Sequence, residues 1–368
     1  MLPLTILLLS GGGLTGSNIM TCLAERRSNL RLVATSDSAS EPALFNFDAT
    51  YLAPRLATGS SEFERRVLEI IERESVDLVV PCRDEDVFWL AGLGERRPDL
   101  APKFLCGAQS TAEIANDKWL SFTFCQKHAL PFAPTLLCSD TATAAAFVEQ
   151  QGFPLVAKPR YGVDSKGIIL LTRFEQVLRA MQLQDYVLQR FLGVREEVDG
   201  YLNALERDGI PLFHSFQGNK RSLQALIGPD HCIRHVVCTR NRMSGQAARS
   251  IVVDRDIEPR TVGERCAQAF AAAGWRGPLN IQCQPASSGE LMIHEFNARF
   301  TGATAARLEL GFDEVGAAIF AFTGQRINPA RRWGEVPDVA FERLSVRAAD
   351  EGNVRTLAER GEWRREIL

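Results

Sequence analysis

Two short stretches hold the residue types that could do chemistry. Lys158 closes the apolar run Phe153-Pro154-Leu155-Val156-Ala157, and a loop bounded by Gly162 and Gly167, with Ser165 and Lys166 inside it, follows at once. A lysine at a strand end presents a fixed positive charge at a sheet edge, and a glycine-bounded loop can fold its backbone N–H groups over an anion. Together they read as a phosphate clamp. The plain alternative is a solvated edge lysine beside a turn. The second stretch runs Leu291-Met292-Ile293-His294-Glu295-Phe296-Asn297-Ala298-Arg299, after a strand that carries Gln282. Side chains alternate along a strand, so Glu295, Asn297 and Arg299 share one face, and Gln282 on the neighbouring strand can meet them. Three oxygen donors at one point suit Mg²⁺, which keeps few protein ligands and takes the rest from phosphate and water; Mn²⁺ is the alternative ion. Arg299 is placed to hold a phosphoryl oxygen. The same alternation sends His294 to the opposite face as a core residue. A polar outer face on a hairpin is the competing reading of this stretch.

A third motif, Gly11-Gly12-Gly13-Leu14-Thr15-Gly16, satisfies GxGxxG between a strand and a helix, and Asp37 lies at the distance expected of a ribose-binding carboxylate. Alone it suggests a nicotinamide-dependent oxidoreductase. The competing reading, which the other phosphate signals favour, is that the glycines permit a tight turn and close helix packing.

These motifs need elements to carry them. The first hundred residues alternate apolar runs at 4–9, 30–35, 77–81 and 103–105 with helical patterns near 17–27, 61–74 and 84–92, which predicts α/β units on a parallel sheet. Ligands of such sheets sit beyond the carboxyl ends of the strands, where Gly11-Gly12-Gly13 and Pro81-Cys82-Arg83-Asp84-Glu85 fall. Asn116-Asp117 caps a helix to about 128. Strands at 155–158, 168–171 and 186–190 follow, with a helix at 173–182. Further strands are expected at 197–206, 211–218, 231–239, 277–286 and 290–296, with a helix at 256–273, and the charged residues 347–368 are expected to be peripheral.

Composition narrows the class. The 368 residues are 45% hydrophobic and 24% charged with a net charge of −3, which fits a globular protein of two or three units and gives no general attraction to nucleic acid. Nine scattered cysteines without a CxxC pair point to reduced thiols and a cytoplasmic protein. No apolar run approaches the roughly 20 residues of a membrane span, and the apolar opening 2–9 lacks a basic leader region.

In this order and separation, the segments resemble the ATP-grasp superfamily, most closely its carbamoyl-phosphate-synthase-like and carboxylate–amine ligase members. The resemblance runs from about 116 to 312. It implies a Rossmann-like pre-ATP-grasp domain over 1–112, a small lid subdomain over 113–190 and a large subdomain with the metal site over 191–368. It further implies that Lys118 reaches the nucleotide phosphates and that Lys158 lies on the α- and β-phosphates, with Gly162, Ser165, Lys166 and Gly167 as the loop over the γ-phosphate. Gln189, Arg190, Phe191 and Leu192 match the adenine hinge, Glu196 the ribose carboxylate, Gln282, Glu295 and Asn297 the metal positions, and Arg299 the phosphate arginine. Two positions depart from the usual pattern: Gln189 stands for an acidic residue, its amide oxygen still able to accept from the adenine amine, and Gln282 stands where many members carry a carboxylate.

The function implied is ATP-dependent phosphorylation of a small carboxylate, such as an amino acid, and capture of the acyl phosphate by an amine, with ADP and phosphate released. Arg240, Arg242, Arg276 and Arg307 are the candidate carboxylate anchors, and the loops 218–221 and 84–86 are further candidate substrate contacts, the acidic 84–86 to an amine. A low-turnover ATP-binding module and the nicotinamide oxidoreductase are the alternatives; a homodimer is left open.

Overall fold

The computed structural model describes residues 3–56, 60–162, 166–193, 195–208, 220–244, 247–286, 288–328, 339–340 and 350–365. The chain opens with β1 (Leu4–Leu9), α1 (Leu14–Leu23), β2 (Leu30–Ser36), β3 (Ala49–Leu52), α2 (Ser60–Arg73), β4 (Leu78–Pro81) and α3 (Asp84–Arg96). Every residue of β1 is buried, as a strand covered on both faces requires. In α2 the buried Phe63, Val67, Ile70 and Ile71 recur at helical spacing. The helices α4 (Gln109–Asn116) and α5 (Lys118–Lys127) come next, and the Asp117 side chain caps α5 by accepting from the Trp119 and Leu120 N–H groups.

A second part contains β5 (Thr135–Leu137), α6 (Ala144–Gln151), β6 (Leu155–Pro159), β7 (Ile169–Leu171), α7 (Phe174–Ala180), β8 (Tyr186–Arg190) and α8 (Arg195–Asp208). A third holds β9 (Lys220–Ile227), β10 (Ile233–Ser244), β11 (Ala247–Val253), α9 (Ile257–Ala272), β12 (Gly277–Pro285), β13 (Leu291–Asn297), α10 (Thr304–Glu309), α11 (Glu314–Thr323), β14 (Val339–Ala340), α12 (Glu351–Arg360) and β15 (Glu362–Arg364).

Three sheets result. The first has the order β15-β3-β2-β1-β4, with its four N-terminal strands parallel. The second is antiparallel, β13-β12-β9-β10-β11-β14, and the third is a small antiparallel sheet, β5-β8-β6-β7. One large core runs from the inner face of the first sheet through α5 and α9 to β9, β12 and β13, so those two sheets are packed as one body. Among the described residues no helix is long and apolar enough to cross a membrane, and all nine cysteines are unpaired, eight of them buried.

Several sequence expectations need correction. Residues 197–206, read as a strand, lie in α8, whose Val198, Tyr201 and Leu202 fall at helical spacing behind the acidic first turn Glu196-Glu197. The expected strand 211–218 lies outside the described residues. The run 103–105 contributes only a bridge, Phe104 to Val79. Residues 351–364, expected to be peripheral and assigned to the large subdomain, return to the first sheet: β15 pairs antiparallel with β3, Trp363 stacks edge-on against Phe45 at 5.3 Å, and Arg364 donates to Glu74 at 2.7 Å.

The glycine motif is used for packing. A Cβ on Gly16 would stand 2.0 Å from the Gly11 carbonyl oxygen, and one on Gly12 would stand 1.8 Å from a Glu41 carboxylate oxygen, which Ser36 holds at 2.9 Å. The cradle a dinucleotide phosphate would need is therefore filled by the chain's own carboxylate, and Asp37 pairs with Arg55 at 2.5 Å. Gly16→Ala is expected to destabilise the fold by at least the roughly 1–3 kcal/mol of overpacking, read as a lowered denaturation midpoint with unchanged slope.

Candidate active site

The small sheet and the second sheet bring charged side chains together around Glu295, and the chemistry of the site begins with lysine. Lys158 sits near the end of β6, and its Nζ donates to Gln189 Oε1 of β8 at 2.7 Å. Gln189 Nε2 donates in turn to Thr135 Oγ1 at 3.1 Å, and that hydroxyl donates to the Ala133 carbonyl at 2.8 Å. The buried amide oxygen expected to meet adenine thus serves Lys158 instead. Lys118, the first residue of α5, places Nζ 3.4 Å from the Gly162 carbonyl and 3.9 Å from Glu295 Oε1. Its helix start is fixed by Asp117, which also binds Arg160 through a bond from Nε at 3.2 Å and a second from Nη2. Lys220 opens β9, two residues before Ser222, which lies directly across from Gln282.

Burial pulls the Lys158 ammonium down to about 8; Glu295 opposes that shift, while Lys118 and Lys220 add to it. Burial also lowers Lys220, again opposed by Glu295. Three ammonium groups therefore share one carboxylate, and the amides Gln282 and Asn297 stand where further carboxylates would have cancelled the charge. An anion carrying two or more charges fits this surplus.

The strand that bears Glu295 is not regular. Gln282 pairs with Glu295 but Cys283 pairs with Ile293, so His294 is the extra residue of a β-bulge. Ile293 and Phe296 consequently enter the same core, and His294 joins Glu295 on the cleft side. Simple alternation had sent it the other way. His294 is 8% exposed, its Nε2 has no partner, and burial, with Lys158, Lys220 and Lys118 nearby, holds its pKa well below the ordinary histidine value, leaving a neutral imidazole.

Asn297 accepts from Arg299 Nη2 at 3.2 Å, and its Nδ2 is buried without a partner. Arg299, expected on a phosphoryl oxygen, is gripped bidentately by Asp84 of α3 at 2.9 and 2.7 Å. The loop 84–86, read as an amine contact, is thereby committed: Asp84 to Arg299, and buried Asp86 to the Ser10 hydroxyl and the Arg83 N–H, both at 3.0 Å. Burial raises the Asp86 carboxyl to about 7. Among the described residues no three His, Cys, Asp or Glu side chains cluster as a metal site. Glu295 with the oxygens of Gln282 and Asn297 is a hard donor set with a single charge, which fits Mg²⁺ when a phosphate completes the shell.

The remaining expectations divide. Leu192 of the hinge packs with Ala133, Ala286 and Met292, giving the cleft an apolar end beside Arg190 and Phe191. Gly162 and Gly167 have φ of 140° and 75°, and a Cβ on Gly167 would meet the Tyr186 hydroxyl at 2.7 Å. Lys166 is exposed, Ser165 lies outside the described residues, and so do 218 and 219 of the loop 218–221. Glu196 is exposed on the first turn of α8. Of the four proposed anchors, Arg276 donates to the Cys106 and Ala101 carbonyls at 2.8 and 2.5 Å, and Arg307 is buried against Glu314 at 2.8 Å. Neither of these two is free to grip a substrate. Arg240 and Arg242 are exposed.

A countable sequence signal points to Lys220. Lys103, Lys118, Lys127, Lys158, Lys166 and Lys220 are the only lysines among 42 Lys and Arg residues, and three of the six face Glu295. Arginine supplies most of the cations elsewhere, with Lys103, Lys127 and Lys166 the exceptions.

Comparison with solved structures agrees with this architecture. N5-carboxyaminoimidazole synthetase from Staphylococcus aureus complexed with ADP superposes with a TM-score of 0.65 at 14% identity, over 92% of this chain and 80% of that one. N5-carboxyaminoimidazole ribonucleotide synthetase from Thermus thermophilus gives 0.63 at 18% identity, over 88% and 79%. The biotin carboxylase domain of the Hydrogenobacter thermophilus 2-oxoglutarate carboxylase, bound to MgADP, ADP and bicarbonate, gives 0.63 at 14%, over 89% and 71%. The chain has the ATP-grasp fold. No protein-family model and no curated protein matches the sequence.

Asp84→Ala leaves Arg299 charged with its counter-ion removed in a largely buried place. The variant is expected to lose about 3 kcal/mol of stability, the lower end for a broken buried pair, as a shift of the urea midpoint.

Proposed function

We propose that this chain is an ATP-dependent carboxylate–amine ligase: it transfers the γ-phosphoryl group of ATP to a small carboxylate and lets an amine displace phosphate from the acyl phosphate. The observation that carries the reading is the surplus of positive charge at Lys118, Lys158 and Lys220 around the single carboxylate Glu295, between two sheets of the ATP-grasp fold. The ADP present in the Staphylococcus aureus and Hydrogenobacter thermophilus structures supports a nucleotide as the anion.

Phosphoryl transfer asks little covalent chemistry of a protein and much positioning and charge neutralisation. Lys158 and Lys118 neutralise the phosphates from the small-sheet side and Lys220 from the opposite wall. The backbone of Arg190, Phe191 and Leu192 borders the base, and Leu192 with Met292 supplies its apolar floor. Glu295, Gln282 and Asn297 would hold Mg²⁺, which when bound draws off further phosphate charge. Gly162 and Gly167 bound the segment expected over the γ-phosphate. The acceptor carboxylate lies toward the first sheet, where the Arg299–Asp84 pair borders the cleft. A small carboxylate such as an amino acid suits that place.

A second reading, an ATP-binding module with little turnover, draws on that same pair, because Asp84 cancels the charge of the arginine expected to face phosphate. Turnover separates the two: a panel of carboxylate and amine pairs should give carboxylate-dependent ADP, and hydroxylamine in place of the amine should trap a hydroxamate. ADP release from no pair would favour the module; AMP and pyrophosphate would mean adenylate chemistry.

Two variants test the site. Lys158→Ala should weaken ATP binding by about tenfold or more, the equivalent of one hydrogen bond to a charged group, by calorimetry. Glu295→Gln should reduce turnover far more than ADP affinity, with the deficit largest at limiting Mg²⁺.

ATP affinity should also depend on pH. A bound anion favours the charged ammonium, so the Lys158 contribution is present below about 8 and declines as pH rises through that value. Calorimetric titrations across this range check the sign.

A further inference from the structure

We propose that Gln189 is the positioning residue of Lys158: the chain of hydrogen bonds from Ala133 through Thr135 and Gln189 fixes the ammonium through a neutral acceptor that adds no counter-charge beyond the shared Glu295, leaving charge for a polyanion to supply. The proposal rests on the ATP reading only for the identity of that anion. The direction of every bond in the chain is fixed by chemistry. Lysine can only donate, so the Gln189 atom 2.7 Å from Nζ is the oxygen. The Thr135 hydroxyl gives its hydrogen to the Ala133 carbonyl at 2.8 Å, so toward Gln189 it can only accept, and the amide nitrogen faces it at 3.1 Å. An amide whose orientation is usually ambiguous is set at both ends.

Glutamate would keep the shape and break the logic. One carboxylate oxygen would neutralise Lys158, and the other would face the Thr135 oxygen with no proton between them. Gln189 is 1% exposed, so neither defect is relieved by water. The amide is therefore the group that holds a lysine still while keeping its charge available. The groups around Lys158 agree: Glu295 on β13 is the carboxylate that acts on it, Lys118 on α5 and Lys220 on β9 repel it, and His294 on β13 is neutral. The lowered Lys158 pKa, about 8, is what an incompletely compensated ammonium should show.

The full chain has only six lysines, which makes the test direct. Protein labelled with ¹³C-lysine gives six Cε resonances, and Lys158→Arg assigns the one of interest. In the ligand-free wild type the Lys158 signal should titrate near 8. In Gln189→Glu its midpoint should rise by about one pH unit or more, as for a group given an opposite charge, and inorganic tripolyphosphate should bind about tenfold more weakly at pH 7, since the new carboxylate competes for the ammonium. In Gln189→Met, which keeps the bulk and removes the acceptor, the midpoint should fall below the wild-type value and tripolyphosphate affinity should again drop. An unchanged Lys158 midpoint in both variants, or wild-type tripolyphosphate affinity in both, overturns the proposal. If the midpoints move as expected while wild type binds tripolyphosphate but neither ATP nor ADP, the positioning role stands and the nucleotide reading falls.

Discussion

Like charges repel, and this chain gathers three ammonium groups around one carboxylate. The arrangement works against folding, because each lysine loses hydration and gains a neighbour of its own sign. It persists because three separate elements deliver the lysines from rigid positions: the capped start of α5, the end of β6 and the start of β9. Each is held by a partner that does not cancel its charge fully. Gln189 holds Lys158, the Gly162 carbonyl holds Lys118, and Glu295 is shared. Under the ligase reading, that cost is offset when the proposed anion binds.

The wall opposite the lysines depends on one irregularity. Without the bulge at His294, strict alternation along β13 would put Ile293 on the same face as Glu295 and opposite Phe296. The extra residue lets the core keep both apolar groups and the cleft keep Glu295 and Asn297. The same strand then runs into Arg299, whose forked bond to Asp84 ties it to the helix that follows β4. The strand bearing the oxygen donors is thus registered against the first sheet as well as its own.

Much of this was legible in the sequence, for reasons that also explain the failures. Residues 186–190 and 277–285 announce strands because apolar residues recur there with little helical competition, and Asp117 announces a helix because its carboxylate can take two free N–H groups. Lys158, Glu295 and Asn297 could be placed from period and neighbours alone. His294 could not, since a bulge is a property of two paired strands and leaves no mark on either one. Gln189 could be located but its use could not, because a side-chain bond to Lys158, 31 residues away, is set by strand pairing. The engagement of Arg299 by Asp84 spans 215 residues and is equally invisible. The strand reading of α8 neglected its spacing: Val198, Tyr201 and Leu202 stand at i, i+3 and i+4, and Tyr201 breaks the alternation a strand requires.

The return of β15 to β3 bears on how the molecule is built. Arg364 reaches Tyr51 across 313 residues, so the outer strand of the first sheet comes from the far side of nearly all the described chain. Contacts of such high sequence separation form late, since the intervening chain must first be confined. Without β15, β3 would present an open edge of unpaired backbone groups, the kind of edge that recruits strands from other molecules. The short segment with Trp363 and Arg364 therefore seals that edge of the sheet.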